Sequence, residues 1–345
     1  MKPRTLMLFT AMTLFAAPGI RVQTSAEKTQ NQIITFDAGP YGTVPTSINP
    51  AGVITGFFND ASGVAHGFLR ARDGAITTFD AGPGGTVSND INPAGVVTGF
   101  FNDASGVAHG FLRARDGTIT TFDAGSGGTV PKRINPASVI TGYDHDASGA
   151  THGFLRTTDG TIITFDAPGA GRFLDTISSS INPAGSITGY YFDAGIVAHG
   201  FLRATDGTIT TFDAPGAGTV RGLGTVSSSI NPADAITGYY FDANDRVHGL
   251  LRAADGTITT FDAGPGNTFS NAINPAGAIT GYYYDASGTI HGFLRARDGT
   301  ITTVDAPGAG TGFRGTLCVS INPAGEITGF FSDASGTFHG FLRNE

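Results

Sequence analysis

The chain has no tryptophan, three methionines and one cysteine in 345 residues. A lone Cys318 excludes an internal disulfide and any metal cluster held by cysteines. Its thiol is expected to be buried and inert or, if exposed, to bridge between chains. Charge is scarce as well. Only 14% of residues are charged, and the net −8 offers no general attraction to nucleic acid or anionic membranes. Long apolar runs are missing with one exception, where Lys2 and Arg4 precede Leu6 to Ala17 and small or polar residues follow to Ala26. That run falls short of the ~20 apolar residues a spanning helix needs, so residues 1–26 read as a secretory signal peptide, cut after Gly19 or Ala26. Its loss removes Lys2, Arg4 and Arg21 and moves the formal charge to −11. The expected location is secreted or periplasmic, with no membrane span after cleavage.

Glycine is what the chain has in excess, 52 residues, beside 26 Phe and 9 Tyr. With 40% hydrophobic residues the chain can build a core, and so much glycine suits short strands joined by tight turns. Internal repetition organises everything else. INPAG or a variant starts at Ile48, Ile91, Ile134, Ile181, Ile230, Ile273 and Ile321. HGFLR, once HGLLR, starts at His66, His109, His152, His199, His248, His291 and His339. A segment close to ITTFDA places Asp37, Asp80, Asp123, Asp166, Asp213, Asp262 and Asp305.

Each unit of 43 to 49 residues parses into four β-rich stretches. In the second copy, Thr86–Asn92 ends in Asn92-Pro93-Ala94-Gly95, which carries type I turn preferences. Val96–Asn102 ends in Asp103-Ala104-Ser105-Gly106, and Asp116-Gly117 joins His109–Arg113 to Thr118–Asp123 as a two-residue hairpin. Four antiparallel strands per repeat is the blade of a β-propeller. The offset from Asn of INP to the next strand's Gly is 7, from that Gly to His 10, and from His to Asp 14. Only the Asp-to-INP connection varies: 11 residues in four copies, and 15, 17 and 16 ahead of Ile181, Ile230 and Ile321. The chain opens on a fourth strand, 33–37, and ends on a third, 339–343. A ring accommodates that offset, because the first strand can complete the last blade and remove exposed edges. The expectation is therefore an all-β, seven-bladed propeller with four antiparallel strands per blade, one domain over 27–345, monomeric, closed by strand 33–37 beside 339–343.

The succession INPAG, ITGYY, DASG and HGFLR over residues 33–343 resembles the HAF family of extracellular repeat proteins, although Gly replaces the Ala of its His-Ala-Phe signature in every copy. The resemblance implies export and supports the propeller; it implies no particular reaction.

Centring the hairpin on Asp73-Gly74 sets Phe68 opposite Phe79 and Gly67 opposite Asp80, making His66 and Asp80 diagonal neighbours. The same register pairs His109 with Asp123, His152 with Asp166, His199 with Asp213, His248 with Asp262 and His291 with Asp305, and closure pairs His339 with Asp37. Hydrogen bonds inside each blade are the expected role, since blade symmetry spreads the histidines too far apart to share a metal. The turn acids Asp60, Asp103, Asp146, Asp193, Asp242, Asp285 and Asp333 could be calcium ligands, but one carboxylate per turn is ordinary turn chemistry. No catalytic residue, metal ligand or cofactor site is nominated. Residues 48–87 and 91–130 differ at three positions, and a catalytic centre needs unlike residues in unlike roles.

Specificity must then lie where the copies diverge. One place is the pair before INP, expected at the channel: Thr46-Ser47, Asn89-Asp90, Lys132-Arg133, Ser179-Ser180, Ser228-Ser229, Asn271-Ala272 and Val319-Ser320. The other is the set of long connections carrying Arg172, Phe173, Asp175, Arg221, Leu223, Phe313 and Arg314. Both sets are expected on the face formed by the blade-to-blade loops. The candidate ligand-binding residues are Asn89, Asp90, Lys132, Arg133, Arg172, Phe173, Arg221, Phe313 and Arg314. Their ligand would be a glycan, peptide or protein. An extracellular lyase or hydrolase around Asp90, Lys132 and Arg133, and a lectin-like binder with several equivalent sites, are the alternatives.

Overall fold

The computed structural model describes residues 32–171 and 176–345. The signal-peptide segment 1–26 and Arg172, Phe173 and Asp175 lie outside the described residues. The rest is all β, with 28 strands in sets of four. Blade 1 consists of Thr43–Ile48, Ile54–Asn59, Ala65–Arg70 and Ile76–Phe79, hydrogen-bonded in that order. Blades 2 to 6 repeat this plan, their first strands being Thr86–Ile91, Gly128–Ile134, Thr176–Ile181, Gly224–Ile230 and Thr268–Ile273. Blade 7 takes Thr316–Ile321, Ile327–Ser332 and Phe338–Arg343 from the C-terminus and Ile33–Phe36 from the N-terminus. Ile33 stands opposite Arg343 and Phe36 opposite Gly340, so strand 33–36 pairs antiparallel with the last strand.

The turns use a different hairpin from the one read in the sequence. Gly74 N–H donates to the Ala71 carbonyl and Ala71 N–H to the Ala75 carbonyl, with Gly74 at φ 94°. This is a type I turn followed by a left-handed residue, a three-residue loop in place of the expected two. The extra residue slips the pairing by one position. Gly67 therefore faces Phe79 and Phe68 faces Thr78, which sets His66 directly opposite Asp80. The INPAG turns close the same way, Gly52 N–H donating to the Asn49 carbonyl. Ser138, Ile196, Asp234 and Asp245 take this last turn position at φ 58–64° where other copies have Gly.

That register decides how the blades pack. The Phe79 ring lies across Gly67, where an added Cβ would come within 2.7 Å of it. Its exposed side meets the next blade: Phe111 packs edge-on at 6.0 Å and the Arg113 guanidinium sits 4.8 Å above the ring. The motif recurs with Phe36, Phe122, Phe165 and Phe261, each against the following blade's Phe and Arg. Such contacts add about 0.5–1.5 kcal/mol per aromatic pair beyond burial, and about as much for the cation. Phe36 is a member of the set, so strand 33–36 also joins blade 7 to blade 1.

A belt of asparagines links the blades nearer the axis. Each INP asparagine accepts turn N–H groups at Oδ1 and donates from Nδ2 to the INP asparagine carbonyl of the next blade. The donors run Asn49 to Asn92, then to Asn135, Asn182, Asn231, Asn274 and Asn322, and from Asn322 back to Asn49, at 3.1–3.4 Å. Blade 7 thus touches blade 1 as every blade touches its successor.

Candidate functional site

In every blade the first strand carries one irregularity. Pro45 pairs with Gly56 but Ser47 with Thr55, which leaves Thr46 bulged out of the ladder. Bulges re-aim a side chain, and this one turns Thr46, Asn89, Lys132, Ser179, Ser228, Asn271 and Val319 into one central cavity of 480 Å³. These are the divergent positions. The residue after the bulge turns the other way, between blades, except in blade 3, where Arg133 also lines the cavity. Ser320, Ser180 and Ser229 accept from the backbone N–H of Ile48, Ile230 and Ile273 in the next blade.

Asp90 holds the same interblade place. It is 8% exposed, with Ser47 donating to Oδ1 at 2.6 Å and Ile134 N–H to Oδ2 at 2.8 Å. Burial raises its pKa against the pull of nearby Arg133. Both oxygens are occupied, so Asp90 works as a strut between blades rather than as a group facing ligand. Arg133 donates to the carbonyls of Asn89 and Lys132, and Asn89 Nδ2 to the Pro131 carbonyl at 2.6 Å. Lys132 has no carboxylate partner among the described residues; its ammonium stands 5.6 Å from the Tyr143 ring centre. Burial and then Arg133 pull its pKa below the ordinary value.

The sequence reading missed the second layer of the cavity. Register puts Ile177 opposite Tyr190, Val226 opposite Tyr239 and Leu317 opposite Phe330, and all six line the cavity together with Tyr143. Burial, and then the charges of Tyr239 and Tyr143, push the Tyr190 hydroxyl up to about 12. The signal was present as the first aromatic after the ITG of blades 3, 4, 5 and 7, which the two-residue alternation of a strand puts on the channel side.

Among the described residues, none of the long connections lines this cavity. The bulges fall at the end of the first strand, beside INP, whereas the connections enter at its start, about 10 Å away for three residues of strand. The described residues of the nominated connections are therefore separated from the bulges along the strand, although Ile177, Val226 and Leu317 near the strand's start line the same cavity. The connections also fold back on the preceding blade. Gly222 N–H donates to the Ile196 carbonyl, and Ala198 pairs in parallel with Gly224. Arg314 donates to the Ala334 carbonyl in the turn of blade 7. Arg221 is exposed, Phe313 is 88% exposed, and Leu223 is buried.

On the outer part of the blades, each His Nδ1 lies 2.8–2.9 Å from the Asp named for it in the sequence, His339 with Asp37 included. A second carboxylate, not foreseen, faces Nε2: the turn Asp six residues earlier, at 3.4–3.6 Å. With acceptors at both nitrogens of His66, His109, His152 and His291, whose pKa values are raised, the doubly protonated imidazolium fits best there. His66 is raised because Asp80 and Asp60 outweigh burial; in His109 the Asp123 hydrogen bond leads. The turn Asp is busy as well. Ser62 Oγ and the N–H groups of Val64 and Ser62 hold Asp60 at about 2. Neither nitrogen is left to act as a base or ligand, and among the described residues no three His, Cys, Asp or Glu side chains converge as a metal site. Cys318 is fully buried, and burial pushes its thiol up to about 12.

Fold and channel define a β-propeller of seven four-stranded blades. No family model and no curated protein matches the chain. Solved structures do. A streptogramin B lyase aligns over 91% of this chain and 98% of its own at 14% identity and TM-score 0.55. A catalytically inactive virginiamycin B lyase from Staphylococcus aureus, with quinupristin, aligns over 92% and 100% at 14% identity and TM-score 0.52. The propeller domain of the Trilobed protease from Pyrococcus furiosus aligns over 88% and 95% at 10% identity and TM-score 0.57. At such identities the likeness is one of fold. Propellers of this kind serve both binding and enzymatic roles.

Proposed function

We propose that the chain is an exported recognition protein, a ring of seven blades sealed by its N-terminal strand, that takes one ligand into the central channel. The ligand is the end of a glycan or peptide chain, or a protein segment. One observation carries the reading: in a chain of near-identical repeats, the bulge aims the residue that differs from blade to blade into a single 480 Å³ cavity. The leader-like segment at 1–26 and the HAF resemblance support export.

Glycan and peptide arrays followed by calorimetry on the mature protein test it. About one ligand per chain is expected, lost in Ser179→Trp and Ser228→Trp, which fill the channel while melting temperature stays near wild type. Several equivalents per chain, indifferent to both changes, would move recognition to the grooves between blades, such as the one lined by Leu112 and Arg156, and overturn the proposal.

A further inference from the structure

The cavity is not symmetric, and its asymmetry bears on the chemistry of what enters. Its charged lining residues are Lys132 and Arg133, both on blade 3, in a chain of net charge −8. Arg133 is engaged by two backbone carbonyls, whereas Lys132 faces only the Tyr143 ring. Tyr143, Tyr190 and Tyr239, on blades 3, 4 and 5, line the cavity with hydroxyls that make no hydrogen bond among the described residues. One wall thus offers an ammonium and three phenol donors with nothing to receive them. On blade 7 the lining is Leu317, Val319 and Phe330, with no polar side chain.

We infer that the end of the ligand chain entering the channel is an amphipathic anion, an apolar group carrying one carboxylate or sulfonate, with the anionic group toward Lys132 and the tyrosines and the apolar part against blade 7. This rests on the channel being the binding site. A half-buried ammonium without a counter-ion is an unsatisfied charge, and an anion brought to it forms the charge-assisted hydrogen bonds that water supplies only in part. Phenol O–H groups add neutral donors suited to a second oxygen of the same anion. A neutral sugar would leave the ammonium unpaired, and a cation would meet it in a cavity lined by no acid among the described residues.

Two fluorescent probes of nearly the same shape separate charge from fit: anilinonaphthalene sulfonate, an anion, and phenylnaphthylamine, its neutral counterpart. The sulfonate is expected to bind at one per chain and to weaken with added salt. Lys132→Met and, as a polar control, Lys132→Gln should weaken it by roughly tenfold or more, the range for losing one charge-assisted contact, and leave the neutral probe within about twofold. Ser228→Trp should expel both. If both probes bind equally, or only the neutral one binds, Lys132 substitutions have no selective effect and Ser228→Trp still expels what binds, then the anion inference falls and the channel site stands. If nothing binds, or Ser228→Trp displaces neither probe, the channel reading falls and the inference with it.

Discussion

Replacing Asn49 is the sharpest test of how the blades are held. Its side chain is 3% exposed and makes three hydrogen bonds: Oδ1 accepts from Ala51 and Val53 N–H at 3.0 Å, and Nδ2 donates to the Asn92 carbonyl of blade 2 at 3.2 Å. Alanine removes all three. Ala51 is exposed and water can replace its partner at little cost, while the Val53 N–H and the Asn92 carbonyl sit deeper and lose about 1–2 kcal/mol each. The expected total is about 2–4 kcal/mol. Asn49→Asp separates the turn from the interblade link. A carboxylate keeps both turn bonds but turns an acceptor toward the Asn92 carbonyl, so it should cost at least as much near neutral pH and recover in acid, where a protonated carboxyl can donate. Urea unfolding followed by far-ultraviolet circular dichroism, for both variants at pH 7 and pH 4, measures this. A loss below about 1 kcal/mol for alanine, or an aspartate variant as stable as wild type at pH 7, would refute the interblade role of the belt.

Stability should peak in mildly acid solution. His66, His109, His152 and His291 have raised pKa values, so their contribution is complete below their unfolded value near 6.5 and fades as pH rises through the folded ones. Asp60, Asp146 and Asp285 fall from 3.8 to about 2, so theirs is present above 3.8 and fades as pH drops toward 2. Urea midpoints should therefore be higher at pH 5.5 than at pH 8.5 or pH 2.5, and replacing the four histidines by glutamine should flatten the alkaline side; an unchanged slope counts against the imidazolium assignment. Two glycines should respond differently to alanine. Gly67→Ala forces a Cβ to 2.7 Å from the Phe79 ring and 2.9 Å from Ser88 Oγ, an overpacking expected to cost about 2–3 kcal/mol. Gly106→Ala meets open space and carries only the strain of φ 86°, about 1 kcal/mol, and equal losses in the two variants would contradict the packing described.

Much of this architecture was legible because a repeat reports its own geometry. Invariant offsets between Asn, Gly, His and Asp set four strands per unit and named every His–Asp(strand) partner, including His339 with Asp37 at opposite ends of the chain. Counting units and noticing the out-of-phase ends was enough to place 33–37 beside 339–343, and Ile33–Phe36 pairs with Gly340–Arg343. Sequence spacing did not supply the register, because one left-handed residue in the turn shifts a hairpin by one position and turn composition alone does not separate the two loop lengths. It also missed the second carboxylate at each histidine, which is brought into reach by the folded-back turn at Asp60 and its equivalents.

The site divides along the same line. From the sequence alone came the positions that vary, since divergence among near-identical copies is visible without coordinates. Only the tertiary structure decided what those positions do. A bulge, invisible in composition, sends Asn89 and Lys132 into the channel and Asp90 between the blades, while Arg133 lines the channel and reaches back to the Asn89 carbonyl of the adjoining blade. Ring geometry then gathers one residue from each of seven distant segments around a common axis. Strand direction, finally, sets the bulged residues about three strand positions away from the start of the first strand, where the long connections enter, because a strand carries the chain from one face of the propeller toward the other before it turns.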